Sequence, residues 1–168
     1  MLQPETQMTI KVGDRLPDVK FKIMGSDGPA DLASSDVFKG KKVAFFAVPG
    51  AFTPTCHRNH LPGYLEHAAE LHAKGVDTIA VTAVNDVFVM NEWKKATGAG
   101  DRIVFLADGA AVFAKAIGLD LDATVPGLGI RSKRYAMLVD DGVVKVLNVE
   151  DVPSKADASS AVALLKEI

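Results

Sequence analysis

The residue of this chain best suited to chemistry is its single cysteine, Cys56. It lies in the stretch VPGAFTPTCHRNH (residues 48–60), between a Thr-Pro pair and two histidines. A lone cysteine can be a small buried hydrophobic residue, a metal ligand, half of an intermolecular disulfide or a nucleophile. The residues around Cys56 bear on which of these four it is.

The residues before Cys56 have the pattern of a helix start. Thr53 is a favourable N-cap, and Pro54 suits the first helical position. Cys56 then lies in the first turn, where backbone N–H groups lack helical partners and the helix dipole is positive. A thiolate would be the anion at this position. Pro49-Gly50 predicts a tight exit from a preceding strand, and Pro62 predicts a kink that makes the Cys56 turn a short helical piece of its own.

Interpretations of Cys56 other than a nucleophile find less support. The polar neighbours Thr53 and Thr55 argue against an interior position for a purely structural cysteine. His57 and His60 suggest a metal site, but a closed zinc site needs four ligands and no second Cys/His cluster exists. We therefore expect no metal or other cofactor, and interpret His60 as a polar neighbour of the pocket. A thiol–disulfide reductase would need a Cys-x-x-Cys pair, which a chain with one cysteine does not have. A redox sensor or chaperone that is not an enzyme stays open.

Composition limits the function classes. The chain has 168 residues, of which 48% are hydrophobic, and a formal net charge of −2. These values are typical of one soluble domain and give no reason to expect nucleic acid or an anionic membrane as a partner. One cysteine excludes an internal disulfide. The start, MLQPETQMTI, resembles neither a signal nor a transit peptide. We expect a single domain over residues 1–168, with residues 1–9 as a loose arm, in the cytoplasm.

The hydrophobic pattern predicts strands that alternate with helices. Strands are predicted over 41–48, 75–84 and 102–108, followed by a hairpin over 134–150 that turns at Asp141-Gly142. Helices are predicted up to Gly75, over 86–97 and 110–117, and from Ser154 onward. The last helix is expected to face inward with Ala158, Ala161, Val162, Leu164 and Leu165. This order implies an α/β fold, a thioredoxin-like arrangement with a central mixed β-sheet flanked by helices on both faces.

The stretch around Cys56 also resembles the Pro-x-x-x-Thr-x-x-Cys motif of the peroxiredoxins, which Pro49, Thr53 and Cys56 match. The residues between them and the following HLPG (60–63) are similar to the type II, Prx5-like subfamily. The likeness extends over nearly the whole chain in five ordered stretches: IKVGDRLPDV, FKGKKVAFFAVPGAFTPTC, AVNDVFVMNEWKK, FLADG and RSKRYAMLVDDGVVKVLNVE. Five stretches in order are much more specific than the cysteine motif alone.

The resemblance implies a peroxidase that reduces hydrogen peroxide and organic hydroperoxides, with a role in antioxidant defence and redox homeostasis. By the family pattern, Cys56 is the peroxidatic nucleophile, Thr53 holds the thiolate and the peroxide, and Pro49 shields the pocket. The essential arginine of the family stands just before an aromatic-led strand, which is the position of Arg134. We assign the rest of the substrate pocket to Gly50, Phe52, Thr55 and His60.

Arg131 is an alternative to Arg134 that lies close to it in sequence. If this segment is a strand, alternation points the two side chains to opposite faces. We therefore predict that Arg134 is in the site. Lys133 is interpreted as part of a solvated basic edge.

The product of peroxide attack is a sulfenic acid on Cys56. Many relatives resolve it with a second cysteine about 25 residues on, where this chain has Val81 in GVDTIAV. An external thiol is therefore expected to complete the cycle, and no reductase domain is expected after Ile168. Similar single-cysteine members use glutathione with glutaredoxin, which is our first choice, and thioredoxin is the second. The resemblance also implies a homodimer.

Overall fold

The computed structural model describes residues 9–168, so all but the last residue of the predicted N-terminal arm lies outside the described residues. The nine strands in this part of the chain are β1 (Lys20–Gly25), β2 (Gly28–Ala33), β3 (Lys42–Ala47), β4 (Thr78–Ala83), β5 (Val104–Ala107), β6 (Asp120–Ala123), β7 (Gly129–Ser132), β8 (Tyr135–Asp140) and β9 (Val143–Val149). The α-helices are α1 (Ser34–Phe38), α2 (Leu61–Glu66), α3 (Ala68–Ala73), α4 (Val87–Thr97), α5 (Val112–Ala116) and α6 (Ala161–Leu165). A π-helical turn (Cys56–His60) precedes α2, and a 3₁₀ turn (Gly100–Arg102) follows α4.

Seven strands form one mixed sheet in the order β2-β1-β5-β4-β3-β8-β9, and β6 pairs with β7 separately. The three central strands β3, β4 and β5 run parallel, whereas β8 runs antiparallel to β3. This is the thioredoxin-like fold with a central mixed sheet, and the predicted fold class is confirmed.

Successive side chains of β3 pack into the two apolar clusters on opposite faces of the sheet. Ala44 and Phe46 belong to the cluster that α2, α3, α4 and α6 cover. Phe45 and Ala47 belong to the opposite cluster, which α1 and α5 cover. Because successive side chains of a strand point to opposite faces, a strand buried on both faces is apolar throughout. This is why the run KKVAFFAV predicts a central strand.

The β8–β9 hairpin forms at the predicted turn. Asp141 and Gly142 have φ angles of 49° and 80°, the left-handed pair that an Asp-Gly turn adopts. In the predicted helix over 86–97, Asp86 is the N-cap and its side chain accepts a hydrogen bond from Val89 N.

Several elements differ from the predictions. The sequence predicts a helix from Ser154, but α6 begins only at Ala161, with Ser160 as its N-cap. Ala158 and Val162, predicted to face inward, are exposed. The helix predicted up to Gly75 breaks into α2 and α3 at His67, which has non-helical φ and ψ angles of −100° and 12°.

The register of the sheet brings three chain segments to one place. Ala47 at the end of β3 pairs with Tyr135 at the start of β8, which pairs with Val149 at the end of β9. The loop that follows β3, the residue that precedes β8 and the residue that follows β9 therefore meet at one end of the sheet. Cys56, Arg134 and Glu150 belong to these three segments.

Among the described residues, we find no helix that combines the length and the apolar character needed to cross a membrane.

Candidate active site

The helix that carries Cys56 begins where the sequence predicts. The backbone N–H of His57 donates to the Thr53 carbonyl at 2.9 Å, so that Pro54 is the first helical residue and Cys56 lies in the first turn. The side chain of Thr53, however, does not cap the helix. Its hydroxyl lies 2.7 Å from the Gly50 carbonyl oxygen and 2.8 Å from Cys56 Sγ. Thr53 is therefore the N-cap by position, as predicted, but its hydroxyl bonds to the Gly50 carbonyl and the sulfur.

Pro62 does not separate the Cys56 turn from the helix that follows. The π-helical turn leads directly into α2, and the Leu61 N–H donates to the Cys56 carbonyl across five residues. A π-helical turn is wider than an α-helical one, and it lies immediately before the proline, which has no N–H to donate. The predicted kink into two separate helical pieces is not present. A single π-helical turn inside an α-helix is frequent at functional sites.

Cys56 is fully buried, contrary to the expectation drawn from its polar neighbours. Cys56 belongs to the larger apolar cluster, while its sulfur contacts two polar side chains. The Arg134 guanidinium donates from Nη2 to Sγ at 2.8 Å, and Thr53 Oγ1 lies at the same distance. Two donors that converge on one sulfur stabilise a negative charge there more than a neutral thiol.

The Thr53 hydroxyl has two alternative hydrogen-bond acceptors. It carries one proton and two lone pairs, so it donates to either the Gly50 carbonyl or Cys56 Sγ at any moment. When it donates to the carbonyl, its lone pairs can accept a hydrogen bond from the thiol or from a peroxide.

Arg134, the residue before β8, is buried, with 2% of its surface exposed. Its three nitrogens have separate partners. Nη2 reaches Cys56 Sγ, Nη1 donates to His60 Nδ1 at 2.9 Å and Nε donates to the Pro153 carbonyl at 2.9 Å. The guanidinium is thus held in one orientation by two contacts that do not involve the sulfur.

Arg131 also lies beside the loop that precedes Cys56. Its Nη1 is 3.5 Å from the Pro49 carbonyl oxygen, and a Cβ added at Gly50 would lie 3.0 Å from the same nitrogen. The alternation argument does not apply here, because β7 ends at Ser132 and the strand does not continue through Arg134. The two arginines therefore approach the loop together, and only Arg134 contacts the sulfur.

His60 is buried and joins Arg134 to the C-terminal part of the chain. Its Nε2 donates to the Ser159 carbonyl at 3.0 Å, and Tyr64 Oη donates to the same oxygen at 2.9 Å. Since Nε2 carries the proton, Nδ1 is the acceptor for Arg134. Burial, and secondarily the charge of Arg134, lowers the pKa of His60 to about 3, so the ring is neutral near pH 7. Both ring nitrogens have partners, and in residues 9–168 no group of three or more His, Cys, Asp or Glu could hold a metal ion.

The other predicted pocket residues lie around the Cys56 turn. Pro49 and Gly50 are buried between β3 and the turn. Phe52 is 47% exposed, has a φ of 65° and stacks on the His57 ring at 5.7 Å. Thr55 donates from Oγ1 to the Ser154 carbonyl at 2.8 Å. The structure therefore brings Gly50 to Thr53 and His60 to Arg134, the two partners of the sulfur. Pro49 contacts Arg131, and Phe52 and Thr55 contact other groups.

The sequence reasoning did not identify the segment that follows β9. Pro153, Ser154 and Ser159 supply main-chain acceptors to Arg134, Thr55 and His60. No motif marks such residues, because a carbonyl oxygen is present at every position. Their proximity results from the pairing of β8 with β9.

The chain resembles known proteins over most of its length. The family model described as Redoxin matches residues 11–165. Peroxiredoxin-2E-2, a chloroplastic protein of Oryza sativa subsp. japonica, is 48% identical over 165 residues, which are 95% of this chain and 73% of the rice protein. The chain belongs to the peroxiredoxin family. The predicted Prx5-like subfamily is confirmed.

Solved structures of peroxiredoxins agree with this assignment. Reduced Prx3 from Vibrio vulnificus in complex with H₂O₂ matches with a TM-score of 0.89 and 46% identity, over 95% of this chain and 99% of that one. Peroxiredoxin 5 from Alvinella pompejana matches with a TM-score of 0.82 and 37% identity, over 94% and 96% of the two chains. The protein is a peroxidase of the peroxiredoxin type with an antioxidant role.

The neutral state of His60 makes the stability of this peroxiredoxin depend on pH. In the unfolded chain a histidine takes up a proton near pH 6.5, whereas His60 in the folded chain does so only near pH 3. Between these values the unfolded state binds more protons, so the free energy of unfolding falls as pH falls, by up to about 1.4 kcal/mol per pH unit. We expect His60→Gln to flatten this part of the pH dependence, as measured by urea unfolding over that range.

The matched control for this prediction is His67→Gln. His67 lies at a helix junction and bonds Glu70 at the surface, so this variant shows how the slope responds to the loss of a histidine outside the site. Equal slopes for the wild type and His60→Gln would show that His60 does not remain neutral in the folded protein.

Proposed function

We propose that Cys56 is the peroxidatic nucleophile of a single-cysteine peroxidase that reduces hydrogen peroxide and organic hydroperoxides. The observation that carries this proposal is the convergence of Arg134 Nη2 and Thr53 Oγ1 on the sulfur of the chain's one cysteine, each at 2.8 Å. Arg134 and Thr53 stabilise the thiolate and orient the peroxide, and Pro49 shields the sulfur from water. Gly50, Phe52, Thr55 and His60 are proposed as pocket residues, with His60 acting on Arg134.

The first half-reaction is a displacement at oxygen. The Cys56 thiolate attacks the nearer oxygen of the peroxide, the S–O bond forms and the O–O bond breaks. The leaving oxygen takes the electron pair of the O–O bond and the proton that the Cys56 thiol released on ionising, and it departs as water or an alcohol. The sulfur is oxidised to a sulfenic acid. Arg134 is placed to neutralise the charge that grows on the leaving oxygen.

The second half-reaction needs a thiol from outside the chain. Val81, at the position of the resolving cysteine in many relatives, is buried in β4 and pairs with Phe46. An external thiol attacks the sulfenic sulfur and releases water. A second thiol then reduces the mixed disulfide. Because Cys56 is fully buried, its turn must open before this thiol can reach the sulfur.

Glutathione with glutaredoxin is the proposed reductant, and thioredoxin is the alternative. A small thiol enters a partly opened site more readily than a protein does. Arg131 supports this choice, since its half-buried guanidinium lies on Pro49 and bonds to main-chain carbonyls rather than to a carboxylate. A carboxylate of glutathione would suit this cation.

The test is NADPH-coupled turnover of hydrogen peroxide and of an alkyl hydroperoxide. Glutathione, glutaredoxin and glutathione reductase are compared with thioredoxin and its reductase. We expect multiple turnovers with the glutathione system and slower ones with thioredoxin. Faster turnover with thioredoxin would overturn the choice of reductant alone. A single oxidation of Cys56 without turnover in either system would overturn the enzymatic proposal and leave a redox sensor.

A homodimer is part of the proposal, with its interface beside the active site. Six large hydrophobic side chains are exposed in the loops next to the site or in the elements that these loops join: Phe52, Phe88, Val112, Val125, Leu128 and Ile130. The loops contact one another. Ala51 N donates to Asn85 Oδ1 at 2.9 Å, Gly109 lies against Asn85, and Arg131 binds the Leu128 and Pro49 carbonyls. A cluster of exposed apolar groups is typical of an interface between protein chains. Analytical ultracentrifugation that shows only monomers at micromolar concentration would contradict the dimer.

The proposed location is the cytoplasm, a reducing compartment in which the single cysteine stays available as a thiol. The name of the rice relative places that protein in the chloroplast. Cell fractionation followed by immunoblotting would decide between the two compartments.

A further inference from the structure

The Glu150 carboxylate is connected by hydrogen bonds to the residues that contact Cys56, without contacting the sulfur itself. Glu150 directly follows β9, and its Oε2 accepts hydrogen bonds from Ser159 N at 2.6 Å and from Ser159 Oγ at 2.5 Å. Its Oε1 accepts a further bond from Ala158 N at 3.3 Å. Hydrogen bonds to an ionised carboxylate are among the strongest in proteins. Glu150 therefore fixes residues 158–159, which lie before α6 in a segment without regular structure.

The fixed residue Ser159 in turn holds His60. The Ser159 carbonyl accepts from His60 Nε2 and from Tyr64 Oη. This contact sets the tautomer in which His60 Nδ1 is an acceptor, and Nδ1 receives Arg134 Nη1 at 2.9 Å. If Ser159 moved away, the His60 ring could rotate or carry its proton on Nδ1, where it would repel the guanidinium.

The chain of contacts returns to Arg134 through the main chain. Glu150 N donates to the Arg134 carbonyl at 3.0 Å, as a continuation of the pairing between β8 and β9. One residue thus holds the backbone of Arg134 directly and its guanidinium through Ser159 and His60. The charge of Glu150 also acts on the buried Tyr64. Burial is the main cause that raises the pKa of the Tyr64 hydroxyl, and the negative charge of Glu150 is the second cause.

We propose that Glu150 is a positioning residue for peroxide reduction, which orients the Arg134 guanidinium toward Cys56 Sγ through Ser159 and His60. This inference rests on the proposed function of Cys56. Glu150 does not touch the sulfur, so its effect depends on Arg134. Displacement of a catalytic group by about 1 Å can cost about 100-fold in rate.

The test measures the rate of Cys56 oxidation by hydrogen peroxide in single-turnover experiments. Trp93, the single tryptophan, donates to His57 Nδ1 at 3.1 Å beside Cys56, so its fluorescence can report the oxidation. We expect Glu150→Ala to slow oxidation by about 10- to 100-fold. Glu150→Gln keeps an acceptor oxygen and should slow it less. Glu167→Gln is the matched control, since the Glu167 carboxylate accepts a bond from Asn148 at the surface, and we expect no change.

A double-mutant cycle separates positioning from a general effect on stability. If Glu150 acts through Arg134, Glu150→Ala should cause little further loss in a protein that already carries Arg134→Ala. An equal loss in both backgrounds would overturn the proposal, as would a wild-type rate in Glu150→Ala. If Glu150→Ala does not fold, Glu150→Gln and Ser159→Ala provide the same comparison. A wild-type protein that peroxide does not oxidise would overturn the proposed function instead.

Discussion

Replacing Cys56 by serine is expected to reduce peroxide consumption to the uncatalysed rate with every reductant. The serine hydroxyl does not ionise near neutral pH, and only the ionised sulfur is an effective nucleophile toward peroxide oxygen. The rest of the chain offers no substitute, because it contains no second cysteine. The measurement is NADPH-coupled turnover together with mass spectrometry of the peroxide-treated protein, in which only the wild type should gain oxygen at residue 56.

The fold of Cys56→Ser should stay intact. A serine Oγ can accept the same two hydrogen bonds, from Thr53 and Arg134, and it occupies less space than sulfur in the buried site. Thermal unfolding and Trp93 fluorescence therefore serve as controls for the loss of activity. Turnover retained by a folded Cys56→Ser protein would contradict the assignment of the nucleophile and with it the mechanism.

The sequence predicts features of this fold whose causes are local. Thr53-Pro54 starts a helix because a proline in the first turn loses no helical hydrogen bond, and Asp141-Gly142 forms a hairpin turn because both residues tolerate a positive φ. The central strand over 41–48 is recognisable because both of its faces are buried. Each of these features depends on a few adjacent residues, and the structure confirms each one.

Other features depend on contacts that local sequence does not encode. The β1–β2 hairpin and the pair β6–β7 are absent from the predictions, because β2 (GPADLA) has no β-branched or aromatic residue and β6 and β7 have only four residues each. The burial of Cys56 was not predicted either. Its polar neighbours indicate an exposed turn, whereas the segment after β9 bonds to Thr55, His60 and Arg134 around it.

In the candidate site, too, some residues can be predicted from local sequence and others depend on contacts between distant segments. The motif locates Cys56 and Thr53, and family resemblance selects Arg134. The partners that orient Arg134 are far away in sequence: Ser159 lies 99 positions from His60 and Pro153 lies 19 from Arg134. Their contacts are main-chain carbonyls, which leave no pattern of residue types. The functional roles of these residues stay predictions, and Arg134 offers the sharpest test of them.

Arg134→Ala is expected to slow the oxidation of the Cys56 thiol by about 100- to 1,000-fold, the range found when one donor to a transition-state charge is removed. Ionisation of the thiol cannot account for so large an effect. A cysteine with the ordinary pKa of about 8.5 is about 3% thiolate at pH 7, so complete ionisation gains only about 30-fold in rate, or about 2 kcal/mol of barrier. The remainder must come from orienting the peroxide and stabilising its leaving oxygen.

The structure gives Arg134 the means for both tasks. Its guanidinium is held by His60 Nδ1 and the Pro153 carbonyl, so Nη2 remains at the sulfur as the peroxide enters. Such fixed donors need no reorganisation when charge develops. Lysine carries the same charge but lacks the planar fork. We therefore expect Arg134→Lys to recover thiolate formation better than it recovers the oxidation rate.

Two measurements on each variant separate these contributions. The thiolate fraction of Cys56 is obtained from ultraviolet absorbance or alkylation rate against pH, and the oxidation rate from single-turnover fluorescence. Arg102→Ala is the control, because Arg102 also bonds main-chain carbonyls, those of Gly98 and Ala99, in a surface turn away from Cys56. If the slower oxidation of Arg134→Ala is fully explained by its smaller thiolate fraction, Arg134 acts on the nucleophile alone. A loss well beyond the thiolate factor shows that it also acts on the breaking O–O bond, as expected of a fixed donor beside the reacting sulfur.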